Sequence, residues 1–395
     1  MSGDLNVCQK YYSFNLFLYF YMKILFILDL YKPHIWGVEI LFENLINWLI
    51  SQWHKVKVLT SRYTKELSTY EQFDNGIEIY RVGHNRYDFM LYCLRKGINL
   101  AKRADIIHTT TYNSAIPASI ISKISGKRVV LTVHEIFGKL RYRFMWWKWF
   151  FYKIFESLIF KFDYDKYICV SNYTKNNLRI YFWLPDHKLI TVYNGIDYNH
   201  WDKKNFVDKD IQSIRTNHNL QKNYVWLFFW RPGISKWLIY FVKAIPHILK
   251  EIPHFKAILI VGESPNNKAD DVREFISHHH LKDYIVWLPG VKYKELGNYI
   301  LTSDVVCVPS LVEGFGFSAA ETCALGQQLV VTNVASLTEV VSGKINFIEP
   351  ANEEDIAQKI IDFYKGEYKN IAEKKFLWSD NVEKILDVYS YILWK

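Results

Sequence analysis

The sequence predicts an α/β fold made of two doubly wound parallel sheets, one in each half of the chain, facing a cleft. From Met22 onward, short apolar runs alternate with segments of helical periodicity, which is typical of parallel strands covered by helices on both faces. The pattern occurs twice, on either side of a polar stretch that ends near Lys222. A chain of 395 residues, 50% of them hydrophobic, is long enough for two complete cores.

Each predicted strand is an apolar run bounded by polar or turn residues. The strands predicted in the first half, which also has a helix near Glu39–Ser51, are Lys23–Asp29, Lys55–Thr60, Ile77–Val82, Asp105–His108, Arg128–His134 and Tyr167–Ser171. Those predicted in the second half are Tyr224–Phe229, Ala257–Val261, Ile285–Leu288, Val305–Pro309, Gln328–Thr332 and Ile345–Ile348. The last segment is predicted as an amphipathic helix with one apolar stripe, formed by Val382, Ile385, Leu386 and Tyr389.

These elements divide the chain into a domain over residues 22–196, a linker over 197–222, a second domain over 223–378 and a final helix over 379–395. We expect residues 1–21 to be an upstream extension outside the fold. The apolar and aromatic run over 11–22 is too short to span a bilayer and has no signal-like cleavage site. A short anchor lying in a membrane interface is the alternative interpretation.

The charge and the cysteines narrow the class of protein. A net charge of +9 predicts anionic partners, such as a sugar diphosphate or an acidic membrane surface. No nucleic-acid-binding motif accompanies the charge, so nucleic acid is not expected as a partner. The five cysteines form no CxxC pair, which favours a reduced, cytoplasmic setting. Three consecutive histidines, His278 to His280, cannot face one metal ion from a helix, and no metal site is predicted.

The segment from Pro309 to Glu321, PSLVEGFGFSAAE, is the most informative motif in the chain. It follows a predicted buried strand, and it places Glu313 and Glu321 around a glycine-rich turn that opens a helix. The glycines allow the backbone to approach a ligand, and free N–H groups at the helix start suit a diphosphate. We expect Glu321 in the first helical turn. There it would also fit a capping box with Ser318, and this structural interpretation stays open.

Together with Gly326, Val330-Val331-Thr332 and Thr338-Glu339-Val340-Val341, this motif resembles the retaining glycosyltransferase family 4, and the resemblance extends along most of the chain. It implies the GT-B fold, in which two Rossmann-like domains face a cleft. The first domain would bind the acceptor, the second would bind the nucleotide sugar, and the final helix would pack back on the first. The implied reaction moves a hexose from a UDP- or GDP-linked donor to a glycan or lipid-linked acceptor. Anomeric configuration would be retained, and no metal or other cofactor is implied.

The resemblance also assigns roles to residues that contact the donor. Arg231 and Lys236 match the R-x4-K pair that holds the donor diphosphate, where fixed cations act most strongly on the charge of the departing group. Gly37 belongs to the corresponding loop of the first domain. By the same resemblance, Glu321 would bind the ribose hydroxyls.

Four further positions complete the donor-sugar site that the resemblance implies. The backbone at Phe315, Gly316 and Phe317, together with the carboxylate of Glu313, would hold the sugar, and Glu313 is a catalytic candidate. The spacing between Glu313 and Glu321 is not the carboxylate pair of a retaining glycosidase, because neither glutamate needs to act as a nucleophile.

His134 is the second catalytic candidate, since it ends a predicted strand and matches the cleft histidine of the family. An imidazole whose pKa lies near working pH would contact the donor sugar or steer the acceptor hydroxyl. A lone histidine at a strand end is otherwise a structural residue, so this role rests on the resemblance. His108, which also ends a strand, is a weaker candidate.

The segment Arg141–Phe155, RYRFMWWKWFFYKIF, mixes cations with large aromatic residues. On a helix, this composition is suited to a membrane interface and a lipid-linked acceptor. The favoured prediction is an amphipathic helix packed on the core. A peripheral contact with the inner membrane face is the alternative.

Tryptophan stands at five positions where the family pattern has glycine: Trp36, Trp53, Trp183, Trp230 and Trp237. Average glycine usage of about 7% predicts about 28 glycines, whereas the chain has 17 glycines and 14 tryptophans. Our hypothesis is that the gene uses UGA as a glycine codon and that these codons were translated as tryptophan. Indoles at 36, 230 or 237 would occupy space that the diphosphate needs.

Two other functions remain open on the sequence alone. The protein could be a degenerate nucleotide-sugar-binding or scaffold protein without turnover, which genuine tryptophans would favour. It could also be a nucleotide-sugar epimerase, a class that shares the two-domain architecture. The two glutamates and the R-x4-K pair favour a transferase over an epimerase. Neither the base, the sugar, the acceptor nor the oligomeric state follows from the sequence.

Overall fold

A computed structural model describes residues 21–34, 37–85, 87–136, 148–230, 238–262 and 268–394. Within them the chain forms an eight-stranded sheet in its first half and a seven-stranded sheet in its second. The strands are β1 Lys23–Ile27, β2 Lys55–Ser61, β3 Tyr70–Gln72, β4 Glu78–Val82, β5 Ile106–Thr110, β6 Arg128–Val133, β7 Lys166–Cys169, β8 Leu189–Thr191, β9 Tyr224–Trp230, β10 Phe255–Val261, β11 Ile285–Leu288, β12 Val305–Val308, β13 Leu329–Thr332, β14 Gly343–Ile348 and β15 Lys369–Ile371.

Helices follow most of these strands, as a doubly wound fold requires. They are α1 Gly37–Ser51, α2 Phe89–Ala101, α3 Ala115–Ser125, α4 Lys148–Ile159, α5 Asn172–Phe182, α6 Asp208–Asn217, α7 Leu238–Glu251, α8 Lys268–His278, α9 Tyr293–Thr302, α10 Phe317–Ala324, α11 Leu337–Val340, α12 Glu353–Tyr364 and α13 Trp378–Leu393.

Both sheets have the predicted doubly wound arrangement. The strand order is β3-β4-β2-β1-β5-β6-β7-β8 in the first and β11-β10-β9-β12-β13-β14-β15 in the second. The order reverses between β1 and β5 and again between β9 and β12, and such switch points are where α/β sheets bind ligands. The prediction of an α/β fold with two parallel sheets is confirmed.

Three short edge strands were not predicted, namely β3, β8 and β15. Two of them pair antiparallel, β3 with β4 and β15 with β14, so both sheets are mixed at an edge. Each has three residues, and β3 and β15 are largely polar and exposed. So short a run carries no periodicity that distinguishes it from a loop.

The stretch between the sheets is more structured than its polar composition indicates. Residues 197–222 contain α6, and three of their side chains, Trp201, Phe206 and Leu220, are buried in the apolar cluster of the second half. An added Cβ at Gly297 would lie 2.1 Å from the Phe206 ring, so glycine makes room for that ring in α9. The domain boundaries themselves stay a prediction.

The last helix, α13, lies against the first half of the chain. Its buried residues Val382, Ile385, Leu386 and Tyr389 share one apolar cluster with α1 and with Phe26 of β1. A parallel bridge between Ile196 and Leu377 brings the chain back to the first half just before α13 begins. Burial of this stripe fixes the helix there, because its apolar face would otherwise be in water.

Two of the five tryptophans at expected glycine positions have a left-handed backbone. Trp53, with φ of 68°, follows α1, and Trp183, with φ of 56°, follows α5. The amide of Trp53 donates to Ile50 O and that of His54 to Leu49 O, which is the hydrogen-bond pattern of a Schellman motif. The two indoles are 86% and 87% exposed. Trp36 and Trp237 lie outside the described residues, and Trp230 is described only as the last residue of β9.

Candidate active site

The motif from Pro309 to Glu321 connects β12 to α10 at the switch point of the second sheet. Strand β12 pairs with β9 on one side and β13 on the other. The connection therefore leaves the carboxyl edge of the sheet where the strand order reverses, as expected for a ligand site. Arg231 and Lys236, predicted to follow β9 at the same edge, lie outside the described residues.

Gly314 brings the two halves of the chain into contact. A Cβ added to Gly314 would lie 1.5 Å from the backbone oxygen of His134, and such a contact is impossible for any other residue without movement of the backbone. Glu313 is buried beside it. The structure therefore brings the backbone of His134 against Gly314, the residue next to Glu313, although the two candidates are widely separated in sequence.

Hydrogen bonds and a left-handed glycine fix the backbone that flanks Gly314. Ser336 donates to the carbonyl oxygens of Glu313 and Phe315, at 2.9 and 3.0 Å. Gly316 has φ of 95°, and a Cβ there would lie 2.7 Å from Leu337 Cδ2. This arrangement rigidifies the turn that was predicted to hold the donor sugar.

The aromatic rings of Phe315 and Phe317 pack against other side chains of the protein. Phe315 is buried and contacts the rings of Tyr193, Phe317 and Phe376, with centroids 5.2–6.5 Å apart. Since Tyr193 precedes the second sheet and Phe376 follows it, these rings pack the loop against the junction of the two halves. We therefore expect the backbone of this segment, rather than these rings, to contact a ligand.

Glu321 lies in the second turn of its helix, which corrects the sequence-based prediction of the first turn. Helix α10 begins at Phe317, and its N-cap is Gly316 rather than Ser318. The capping-box interpretation is therefore wrong. It failed because the left-handed glycine moves the helix start one residue ahead of Ser318.

The side chain of Glu321 is buried and receives a hydrogen bond from Tyr293, whose Oη lies 3.2 Å from Glu321 Oε1. Trp201 Nε1 donates to the same Tyr293 oxygen at 3.1 Å. Burial raises the pKa of Glu321 to about 8, and the hydrogen bond from Tyr293 opposes that rise. Sequence reasoning missed Tyr293 and Trp201 because no motif connects residues so far apart in the chain.

His134 follows β6 at the carboxyl edge of the first sheet and is 9% exposed. Burial lowers its pKa to about 4, so the ring is neutral at neutral pH. This corrects the expectation of a pKa near working pH, because the expectation used the value of an exposed imidazole. Its Nε2 is buried without a hydrogen-bond partner among the described residues. A neutral imidazole can still donate or accept a hydrogen bond from a sugar hydroxyl.

His108 has a structural role. It is fully buried, with Nδ1 hydrogen-bonded to the hydroxyl of Tyr389 and Nε2 lying 2.7 Å from Thr132 Oγ1. Burial, together with the nearby His134, lowers the pKa of His108 to about 3. Both ring nitrogens are occupied, so this histidine connects α13 to the core of the first half.

Gly37 begins α1 at the switch point of the first sheet. A Cβ added to Gly37 would meet no atom within 4 Å among the described residues, so no close packing explains the glycine. The position is exposed at a helix N-terminus, where a diphosphate would be stabilised. The structure thus leaves room for the predicted contact.

Buried hydroxyl groups that sequence reasoning missed lie at or just beyond the carboxyl ends of strands β1, β2 and β5. They belong to Tyr31, Ser61, Thr110 and Thr111, and none has a hydrogen-bond partner within the described part of the chain. Buried hydroxyl groups are normally paired, so unpaired ones at a ligand-binding edge are candidates for binding a polar molecule. Their only sequence signal is their position after predicted strands.

Two protein families match this chain. Residues 35–200 match "Glycosyltransferase Family 4", and residues 210–378 match "Glycosyl transferases group 1". The chain belongs to the GT-B glycosyltransferases. The first match covers strands β2 to β8 and the second covers β9 to β15, and the expected enzyme class is confirmed.

Curated relatives of this glycosyltransferase cover nearly its whole length. An uncharacterized glycosyltransferase of Methanocaldococcus jannaschii is 25% identical over 93% of this chain and 98% of its own. The GPI3 subunit of phosphatidylinositol N-acetylglucosaminyltransferase of Saccharomyces cerevisiae is 21% identical over 94% of this chain and 83% of its own.

Solved structures share the fold of this glycosyltransferase. A glycosyltransferase from Rickettsia africae has a TM-score of 0.75 at 20% identity, covering 95% of this chain and 99% of that one. The Anabaena protein HepE in complex with UDP has a TM-score of 0.68 at 18% identity, covering 94% and 98%.

Proposed function

We propose that this glycosyltransferase transfers a hexose from a UDP- or GDP-linked donor to a glycan or lipid-linked acceptor in the cytoplasm, with retention of anomeric configuration. The contact of Gly314 with His134 carries the proposal, because it brings the glutamate loop of one half against the candidate histidine of the other. The unpaired hydroxyls at the edge of the first sheet support a polar acceptor on that side. The complex of HepE with UDP supports a uridine nucleotide as the first donor to test.

The proposed chemistry uses charge stabilisation rather than a metal ion. The bond from the anomeric carbon to the diphosphate breaks while the acceptor hydroxyl oxygen bonds on the same face of the sugar, and the hydroxyl proton passes to the departing diphosphate oxygen. Arg231 and Lys236 stabilise the departing diphosphate, with Gly37 beside it, and Glu313 and the backbone of Phe315–Phe317 hold the sugar. Glu321 binds the ribose. His134 acts as a neutral hydrogen-bonding group, as its lowered pKa requires.

A peripheral membrane contact through α4 is part of this proposal. The exposed residues Phe150, Phe151, Ile154 and Leu158 recur at helical spacing along α4. The exposed Lys153 on the same helix suits an acidic lipid surface. Among the described residues, no helix is long and apolar enough to cross a membrane. A surface contact would place a lipid-linked acceptor near the edge of the first sheet.

Turnover tests the proposal. The protein is assayed with UDP- and GDP-linked hexoses, in forms with tryptophan or glycine at positions 36, 53, 183, 230 and 237. We expect release of the nucleoside diphosphate that depends on acceptor, persists in a metal chelator and gives a product of retained configuration by NMR. Binding of donor without turnover in either form would favour the scaffold interpretation, and a donor converted to its epimer would favour an epimerase.

Substitution of Gly314 tests the contact on which the proposal depends. Gly314→Ala should lower kcat about a hundredfold or more, because a shift of about 1 Å between reacting groups costs that much. Gly290→Ala is the matched control, since its added Cβ would have only an ordinary contact at 3.5 Å and the position has no positive φ. Equal activity of both variants would show that the observed approach of the two halves is not needed for transfer.

A further inference from the structure

Glu321 is connected to residues outside the family motif by two hydrogen bonds in series. Trp201, in the stretch between the sheets, donates from Nε1 to Tyr293 Oη at 3.1 Å. Tyr293, at the start of α9, lies with Oη 3.2 Å from Glu321 Oε1. Trp201 and Glu321 are buried, at 1% and 7% exposed, whereas Tyr293 between them is 42% exposed.

The direction of these hydrogen bonds follows from the chemistry of the indole group. An indole N–H only donates, so the oxygen of Tyr293 must accept from Trp201. The phenolic proton of Tyr293 is then available for the carboxylate of Glu321. A phenol that donates to a carboxylate stabilises the ionised form of the acid and orients it.

The packing around Tyr293 restricts its ring. His200 stacks on it with centroids 5.0 Å apart and an interplanar angle of 16°, and Trp201 meets its edge at 5.4 Å. Phe206 stacks on Trp201 in turn and occupies the space that Gly297 leaves open in α9. These ring contacts and the two hydrogen bonds place the hydroxyl of Tyr293 beside Glu321.

We propose that Tyr293 and Trp201 are positioning residues that orient Glu321 and favour its ionised form, with Oε1 engaged and Oε2 left for the ribose hydroxyls of a nucleotide sugar. The proposal rests on the proposed function in taking Glu321 as the ribose-binding group. It adds that the stretch between the two halves reaches the donor site through Trp201. A shift of this stretch during domain closure would then change how Glu321 binds the donor.

The electrostatics around Glu321 support an effect of Tyr293 on its ionisation. Burial raises the pKa of Glu321 to about 8, and the hydrogen bond from Tyr293 is the opposing influence. Asp197 and His200 face Tyr293 from the stretch between the sheets. Lys374 interacts electrostatically with Glu339 and with Cys323, which lies on α10 together with Glu321. Removal of the phenol leaves burial unopposed, so the pKa of Glu321 rises further.

The pH dependence of nucleotide binding tests the proposal. Calorimetric titration with UDP and GDP between about pH 6 and 9 should show wild-type affinity rising with pH until Glu321 is ionised. Tyr293→Phe should move this midpoint upward by about one pH unit and weaken binding at pH 7 about tenfold. Trp201→Phe should move it in the same direction by less. Tyr299→Phe, on the same helix, is the matched control and should leave the midpoint unchanged.

A second measurement needs no ligand. The infrared band of a protonated carboxyl group that disappears in Glu321→Gln reports the ionisation of Glu321 directly, and its midpoint should rise in Tyr293→Phe. An unchanged midpoint, or nucleotide binding weakened equally at every pH, would overturn the positioning role. A shifted band in a protein that binds neither UDP nor GDP would support the hydrogen-bond series while contradicting the proposed function.

Discussion

Positions 53 and 183 have the left-handed backbone that glycine adopts at low cost, yet tryptophan occupies both. Trp183 directly follows α5 and Trp53 lies two residues after α1, at helix C-terminal positions where glycine is common. Their indoles project into solvent and gain little from burial. In contrast, Trp201 is buried and Trp378 packs against Gly195. Trp53 and Trp183 thus differ physically from these two tryptophans, which have a packing role.

Replacing Trp53 or Trp183 with glycine should stabilise the protein. Each substitution relieves a left-handed non-glycine residue, and we expect the free energy of unfolding to rise by about 1 kcal/mol per site. Chemical denaturation measures this change. The control Trp201→Gly should lower the same free energy by about 3 to 5 kcal/mol, because it empties a buried site.

The coding sequence gives an independent check. UGA codons at 36, 53, 183, 230 and 237, with UGG at 201 and 378, would support the recoding hypothesis. UGG at the first five positions would contradict it, even if glycine proved more stable there. Trp48, another tryptophan near the end of α1, packs against the core of the first half. A place near a helix end is therefore not enough to mark a tryptophan as a recoded glycine.

At the scale of elements, α4 has apolar residues on two of its faces. Ile159 is buried in the core of the first half, whereas Phe150, Phe151, Ile154 and Leu158 are exposed. The two predictions for Arg141–Phe155, a helix packed on the core and an interfacial helix, both stay predictions, because residues 141–147 lie outside the described part of the chain. Membrane contact itself stays a proposal.

Polar substitution of the exposed stripe should weaken vesicle binding. A protein with Ile154→Ser and Leu158→Ser loses apolar area while the buried face of α4 is unchanged. We expect cosedimentation with vesicles containing acidic phospholipid to fall about tenfold relative to the unsubstituted protein. Val207→Ser removes an exposed apolar side chain elsewhere and serves as the control. Equal binding by all three proteins would argue against α4 as the contact.

At the scale of the whole molecule, one carboxylate joins the two halves. Glu339 of α11 accepts hydrogen bonds from the backbone N–H groups of Asn172 and Tyr173, at 2.9 and 2.7 Å, and from Tyr193 Oη at 2.7 Å. Asn172 and Tyr173 begin α5, whose N-terminal partial positive charge suits a carboxylate. This contact and that of Gly314 both join the halves beside a junction that includes the rings of Tyr193 and Phe315.

Loss of the Glu339 carboxylate should loosen the two halves. Glu339→Ala leaves two N–H groups of α5 without this acceptor, and we expect the free energy of unfolding to fall by about 1 to 3 kcal/mol. Small-angle scattering should show a larger radius of gyration. Glu339→Gln, which keeps one oxygen acceptor, should lie between. The exposed Glu383→Ala in α13 is the control, and an equal effect there would show that Glu339 has no special role.

The sequence by itself determined the fold class, most strand positions and the enzyme class. Buried parallel strands are continuous apolar runs, and a glycine-rich turn with fixed acidic residues is a local pattern, so both are visible without coordinates. The same is true of the α13 stripe, because its period is a property of one helix.

Only the tertiary structure decided what distant residues do to one another. It showed that Glu321 meets Tyr293 and Trp201, that His134 is neutral because it is buried, and that His108 belongs to the core through Tyr389. It also moved the start of α10 to Phe317, against the capping pattern. Burial, hydrogen-bond partners and pKa depend on groups brought together by folding across large sequence separations, and no local pattern records those neighbours.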